Sequence, residues 1–119
     1  MNEFLSKFFF WSNQVKVYHL QTKSYAGHIA LGGLYDTLTE FTDDFAEKFM
    51  SNGEVLAAPA NLKKIMNYKD VGQVYATIDE IDQYISSLRT ELVEATDLVN
   101  MLDDLRGSIN KTRYLLTLS

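Results

Sequence analysis

Residues 31–49 read LGGLYDTLTEFTDDFAEKF, and this stretch decides the fold. Leu31, Leu34, Leu38, Phe41, Phe45 and Phe49 step by three and four, the spacing of one face of an α-helix. The pattern reaches back to about Tyr25 and stops at Asn52-Gly53, where glycine can end a helix in the left-handed conformation. The spacing therefore predicts a helix over 25–51, with Ser24 as its N-cap. Gly32 and Gly33 inside it cost roughly 1 kcal/mol each in helix propensity. Close packing against another helix would account for them, and so would room for a ligand or a partner backbone.

On the N-terminal side, residues 2–21 contain neither Pro nor Gly. Leu5, Phe8, Val15 and His19 share a helical face flanked by Phe4 and Trp11, so a first helix over 2–21 is expected, joined to the second by Thr22-Lys23-Ser24. On the C-terminal side, residues 54–72 are irregular. They hold the sole proline, Pro59, and a basic cluster of Lys63, Lys64 and Lys69. A short helix fits residues 61–66. A connection this long in a small domain is expected to cross over the body of the fold. Ile78, Ile81, Ile85, Leu88 and Leu92 predict a third helix over 76–92, with Thr77 and Glu80 read as a capping box. Leu98, Leu102, Leu105, Ile109 and Leu116 predict a fourth over 96–117, with Thr96 and Asp97 in its first turn. A break between the last two is preferred, because one continuous helix would leave little to close the core. The whole chain, 1–119, reads as a single all-α domain, a four-helix bundle with its crossover between helices 2 and 3.

Composition narrows the function. The chain has 46% hydrophobic and 23% charged residues, an ordinary globular balance. It has no Cys, which removes disulfides, Cys-ligated metals and a thiol nucleophile. A formal charge of -5 argues against nucleic acid as a partner. The longest early apolar run, Phe8 to Trp11, is far too short to span a bilayer, and no signal-peptide cleavage pattern follows it. The chain therefore reads as not secreted. Phe8, Phe9, Phe10 and Trp11 cover most of a helix circumference, which calls for a second buried surface and hence for self-association. No phosphate-binding glycine loop or nucleophile elbow is present.

The residues with metal-ligand chemistry are His19, His28, Asp43 and Glu47. The two histidines, the only ones in the chain, flank the first connection. Asp43 and Glu47 are one turn apart on the second helix, on a strip that also carries His28. Asp43 lies roughly 22 Å along a straight helix from His28, at about 1.5 Å per residue. One chain cannot bring these four to a common ion. A two-fold dimer with antiparallel second helices can, and it would form two equivalent sites. Nitrogen and carboxylate ligands together suit iron, manganese or zinc.

The segment from His19 through Thr22-Lys23-Ser24-Tyr25-Ala26 to His28, continued by Asp43 and Glu47, resembles the Dps-like branch of the ferritin superfamily. It is most similar to the small Dps-like proteins encoded by tailed phages, as is the ending Thr112 then Tyr114 to Leu118. The resemblance implies a ferritin-like bundle that self-associates as a two-fold dimer or a hollow dodecamer. It implies iron as the bound metal, ferroxidase activity, and His19, His28, Asp43 and Glu47 as ligands. It places the chain in the cytoplasm of a bacterial host or in a virion, beside other virion proteins. The sequence departs from classical members in three respects. Its histidines are closer together, Gly32 stands where a carboxylate is usual, and lysine-rich tails are lacking. There is also no Glu-x-x-His, the di-iron motif of the standard ferritins. The alternative function is a virion structural or interaction protein that keeps the bundle without the activity.

Overall fold

The computed structural model describes residues 1–118. Four helices are present: α1 (Phe4–Gln21), α2 (Tyr25–Met50), α3 (Val71–Glu91) and α4 (Thr96–Leu116). The described residues contain no strand. α1 packs on α2, α2 on α4, α4 on α3 and α3 on α1, which makes a closed ring of four around one core. Phe4, Phe8, Phe45, Leu34, Leu38, Ile81, Ile85 and Leu102 are essentially sealed within it. Aromatic rings fill the end nearest the N-terminus. Phe4 stacks on Phe45 at 5.1 Å, and Trp11 meets Phe8 edge-on at 5.2 Å.

The helix starts follow capping chemistry. Ser24 Oγ accepts from the Gly27 N–H at 3.0 Å, as expected for α2. α3 begins at Val71, five residues earlier than the apolar spacing suggested. The capping box at Thr77 and Glu80 is not formed: the cap is Asp70, whose carboxylate accepts from the Gln73 N–H at 2.9 Å. Thr77 lies a turn and a half inside the helix, where its hydroxyl bonds the buried Tyr18 hydroxyl at 3.0 Å. Its pattern with Glu80 is thus a packing feature. The break before α4 is present, with Leu92 closing α3. On α1 the buried stripe is Phe4, Phe8, Trp11, Val15 and Tyr18, so Leu5 and His19 sit at its margin.

Residues 61–66 are not helical. Instead the crossover runs the length of α1, held by side chains. Ser6 bonds Ala60, the Gln14 amide pairs with both the N–H and the C=O of Met66 at 2.8 Å, and the Gln21 Oε1 accepts from the Tyr68 N–H. Gln73 holds the other edge, accepting from the Lys69 N–H and donating to the Asn67 carbonyl. A local helix there would have closed its own hydrogen bonds and left Gln14, only 1% exposed, buried without partners. Because the crossover returns the chain to the end from which α2 started, α2 and α3 run parallel. The crossover also supplies the second surface for the aromatic run. Lys63 covers the ring of Phe10 at 5.8 Å, Phe4, Phe8 and Trp11 enter the core, and of this run Phe9 stays exposed. The aromatic run therefore does not by itself require a second copy of the chain.

Acids on the faces of α3 and α4 are engaged in ion pairs. Asp103 pairs with Arg89, Asp82 with Arg106, and Asp79 with Arg113, bridging the two helices. Arg89 holds the Asp103 carboxyl below its ordinary range through their hydrogen bond.

Candidate functional site

The hairpin between α1 and α2 brings the two histidines together. His19 sits in the last turns of α1 and His28 in the first turn of α2. Their rings stack with centroids 4.0 Å apart and planes 18° from parallel. Each ring bonds the main chain of the other. His19 Nδ1 lies 2.7 Å from the His28 carbonyl oxygen, and His28 Nδ1 lies 2.8 Å from the His19 carbonyl oxygen. A carbonyl only accepts, so both Nδ1 atoms carry the proton. In the neutral rings both Nε2 atoms therefore hold free lone pairs. This is the usual way a metal-binding imidazole is held in one tautomer.

Gly32, one turn beyond His28, makes the arrangement possible. A Cβ there would sit 2.9 Å from His19 Cε1 and 3.0 Å from His19 Nδ1. Gly33 differs, since a Cβ there would meet nothing within 4 Å. Of the two explanations for the glycine pair, close packing holds for Gly32, and its partner is the histidine ring.

The stack also sets what the pair can bind. An imidazole lone pair lies in its ring plane, and a metal sits about 2.0–2.1 Å from the nitrogen. Two nearly parallel rings 4.0 Å apart cannot both direct lone pairs at one ion. The pair offers two separate coordination directions.

Asp43 and Glu47 are exposed on α2, well along the helix from the histidines, as their spacing required. Asp43 lines a shallow hollow of about 450 Å³ between α1 and α2, with Leu5, Phe9, Tyr35 and Thr39. Among the described residues no group of three or more His, Asp or Glu side chains is placed to hold a metal ion. The structure thus joins His19 to His28 and leaves Asp43 and Glu47 apart from them within one chain.

A larger hollow, about 820 Å³, lies between α1, the crossover and α3, far from the histidines. Lys7 stands there over the rings of Trp11 and Tyr84, and the Trp11 N–H reaches Glu80 at 3.4 Å. Burial, with Glu91 and then Glu3 nearby, pushes the Tyr84 hydroxyl up to about 12. That hydroxyl is buried with no hydrogen-bond partner. Sequence reasoning missed the structural weight of Gln14, Gln21 and Gln73, because nothing in a glutamine's position shows that it will bond the main chain of the crossover rather than water.

These features define an all-α four-helix protein with a locked histidine pair at one end of its first hairpin. Among known families, the model for proteins of unknown function designated DUF5856 matches residues 19–116, and the chain belongs to that family. No curated protein and no solved structure matches it. No helix among the described residues is long and apolar enough to cross a membrane.

Proposed function

We propose that this chain is a ferritin-like, Dps-like protein that binds iron where two copies meet, with His19 and His28 of one copy facing Asp43 and Glu47 of the other. The observation that carries the reading is the reciprocal pair of Nδ1 hydrogen bonds, which leaves both Nε2 atoms ready as ligands. The parallel α2 and α3, joined by a long crossover, support the ferritin-like topology. Each imidazole holds its own ion, and the carboxylates of the second copy complete the coordination. Iron enters as the cargo of this site, and its oxidation would be the ferroxidase activity. A cell interior or a virion is the setting that the resemblance suggests.

The test is an anaerobic Fe(II) titration of the whole chain, with its mass in solution measured on the same sample. Saturable uptake by an oligomer, clearly reduced in His28→Asn and in Asp43→Asn with helicity unchanged, is the expected result. Asn at 28 preserves a donor near the Nδ1 position and removes Nε2, so it separates ligation from hairpin stability. Undiminished uptake in both variants would remove the reading.

A second reading is favoured by a different observation. Leu20, Tyr25 and Ile29 stand 64%, 79% and 53% exposed around the same hairpin. Such apolar exposure suits a virion structural or interaction protein without enzymatic activity. A folded oligomer that takes up no iron would select it.

A further inference from the structure

The outer strip of α2 carries two kinds of residue that pull in opposite directions. Ile29 and Met50, with Phe9 from α1 in the hollow that holds Asp43, are 53%, 42% and 41% exposed and favour docking onto another surface. Asp36, Asp43 and Glu47 are exposed on the same strip and oppose it, since none of them forms an ion pair among the described residues. Burying unpaired carboxylates against a second copy carries a large desolvation cost. The positive charges nearest the histidine end do not balance them. Lys16 is held over the ring of Tyr35 at 4.6 Å, and Lys23, exposed in the hairpin, offsets one carboxylate at most. The histidine pair opposite supplies neutral lone pairs in its place.

We propose that a divalent cation gates self-association of this chain: a second copy docks on the outer strip of α2 only when cations sit between the His19–His28 pair of one copy and Asp43 and Glu47 of the other. The inference rests on the metal-binding reading above and adds to it a linkage between uptake and assembly. Linkage is reciprocal, so cation promotes association and association tightens cation binding. A two-fold dimer has two such sites. With two ions taken up per site, one on each imidazole, a tenfold rise in free cation raises the association constant by up to about 10,000-fold.

The experiment is sedimentation equilibrium of the full chain in Mn(II), in EDTA, and in sodium chloride of matched ionic strength, with Mn(II) uptake followed by calorimetry. The expected result is a monomer in EDTA and in sodium chloride, and a dimer or larger assembly in Mn(II). The double variant H19N/H28N stays monomeric in Mn(II). A mixing test adds a second line. H19N/H28N alone and D43N/E47Q alone take up no Mn(II), but an equimolar mixture regains up to about half the wild-type uptake, because one of the two sites in a mixed dimer is whole. Equal association in EDTA and Mn(II) overturns the gating. So does a mixture that takes up nothing, and so does a wild-type chain that binds Mn(II) as a monomer, although that last result leaves the metal-binding reading standing. A wild-type chain that binds no Mn(II) removes both.

Discussion

Gly32→Ala and Gly33→Ala are adjacent, chemically identical substitutions with opposite expected signs. In a helix interior, Ala is favoured over Gly by about 1 kcal/mol, largely because the unfolded chain loses freedom. At Gly33 the added methyl meets nothing within 4 Å, so that gain should appear in full. At Gly32 the methyl would lie 2.9 Å from His19 Cε1. The ring cannot simply swing aside, because it is stacked on His28 and its Nδ1–H is bonded to the His28 carbonyl at 2.7 Å. Losing that bond costs about 0.5–1.5 kcal/mol, and losing the stack adds to it. Gly32→Ala should therefore end about 1 kcal/mol below wild type and Gly33→Ala about 1 kcal/mol above. A gap of roughly 2 kcal/mol corresponds to about 8 °C in Tm for a chain of this length. The assay is thermal unfolding by circular dichroism in EDTA, so that any metal-linked assembly is absent, with histidine ring NMR signals recorded in parallel. Equal Tm values for the two variants, with the His19 and His28 signals unmoved in Gly32→Ala, would refute the account of the glycine as the seat of the histidine ring.

Gln14→Leu removes both bonds to Met66, and a loss of about 1–3 kcal/mol is expected. Hydrogen exchange should then quicken at residues 64–69 first, with the helix interiors still protected. Tyr84→Phe deletes a buried hydroxyl that has no partner, so stability at pH 7 should hold or rise by about 1 kcal/mol in urea unfolding. The same residue sets an alkaline limit. Its neutral form is favoured in the folded state, so its contribution is fully present below pH 10, the ordinary tyrosine value, and is lost as the pH climbs to about 12. Tyr18, also raised by burial, acts in the same sense. Tyr84→Phe should accordingly flatten the loss of stability above pH 10, and an unchanged pH profile would count against its burial.

The helices were legible because each carries an apolar face at helical spacing, and packing four such faces leaves few arrangements. The Leu31 to Phe49 run was legible at nearly every position, since its six spaced apolar residues are all buried. The start of α3 was not. Gly72 in its first turn weakened the helical signal, and Thr77 with Glu80 imitated a cap while Thr77 was engaged with Tyr18. The path of the crossover was hidden for a different reason. It depends on side-chain amides meeting main-chain groups more than forty residues away, and no local pattern encodes such a meeting. The histidine pair was legible as a juxtaposition, from a three-residue connection between two helices. Its stacking, its tautomers and its dependence on Gly32 were not, because they follow from ring orientations that only packing determines.

Gln14, Gln21 and Gln73 grip the crossover chiefly by its peptide groups, with one further bond from the Gln21 amide to the Asn67 side chain. A peptide group is the same whatever residue bears it, proline apart. The fastening is therefore blind to the letters written at Met66, Tyr68 and Lys69. Met66 and Lys69, both exposed, are free to drift, to acquire charge or to lose it, while the strap stays buckled along α1; Tyr68 alone is also tied by its ring, which meets Tyr18 edge-on. Variation on that flank can be rewritten cheaply, and the three glutamines are where the cost of rewriting falls.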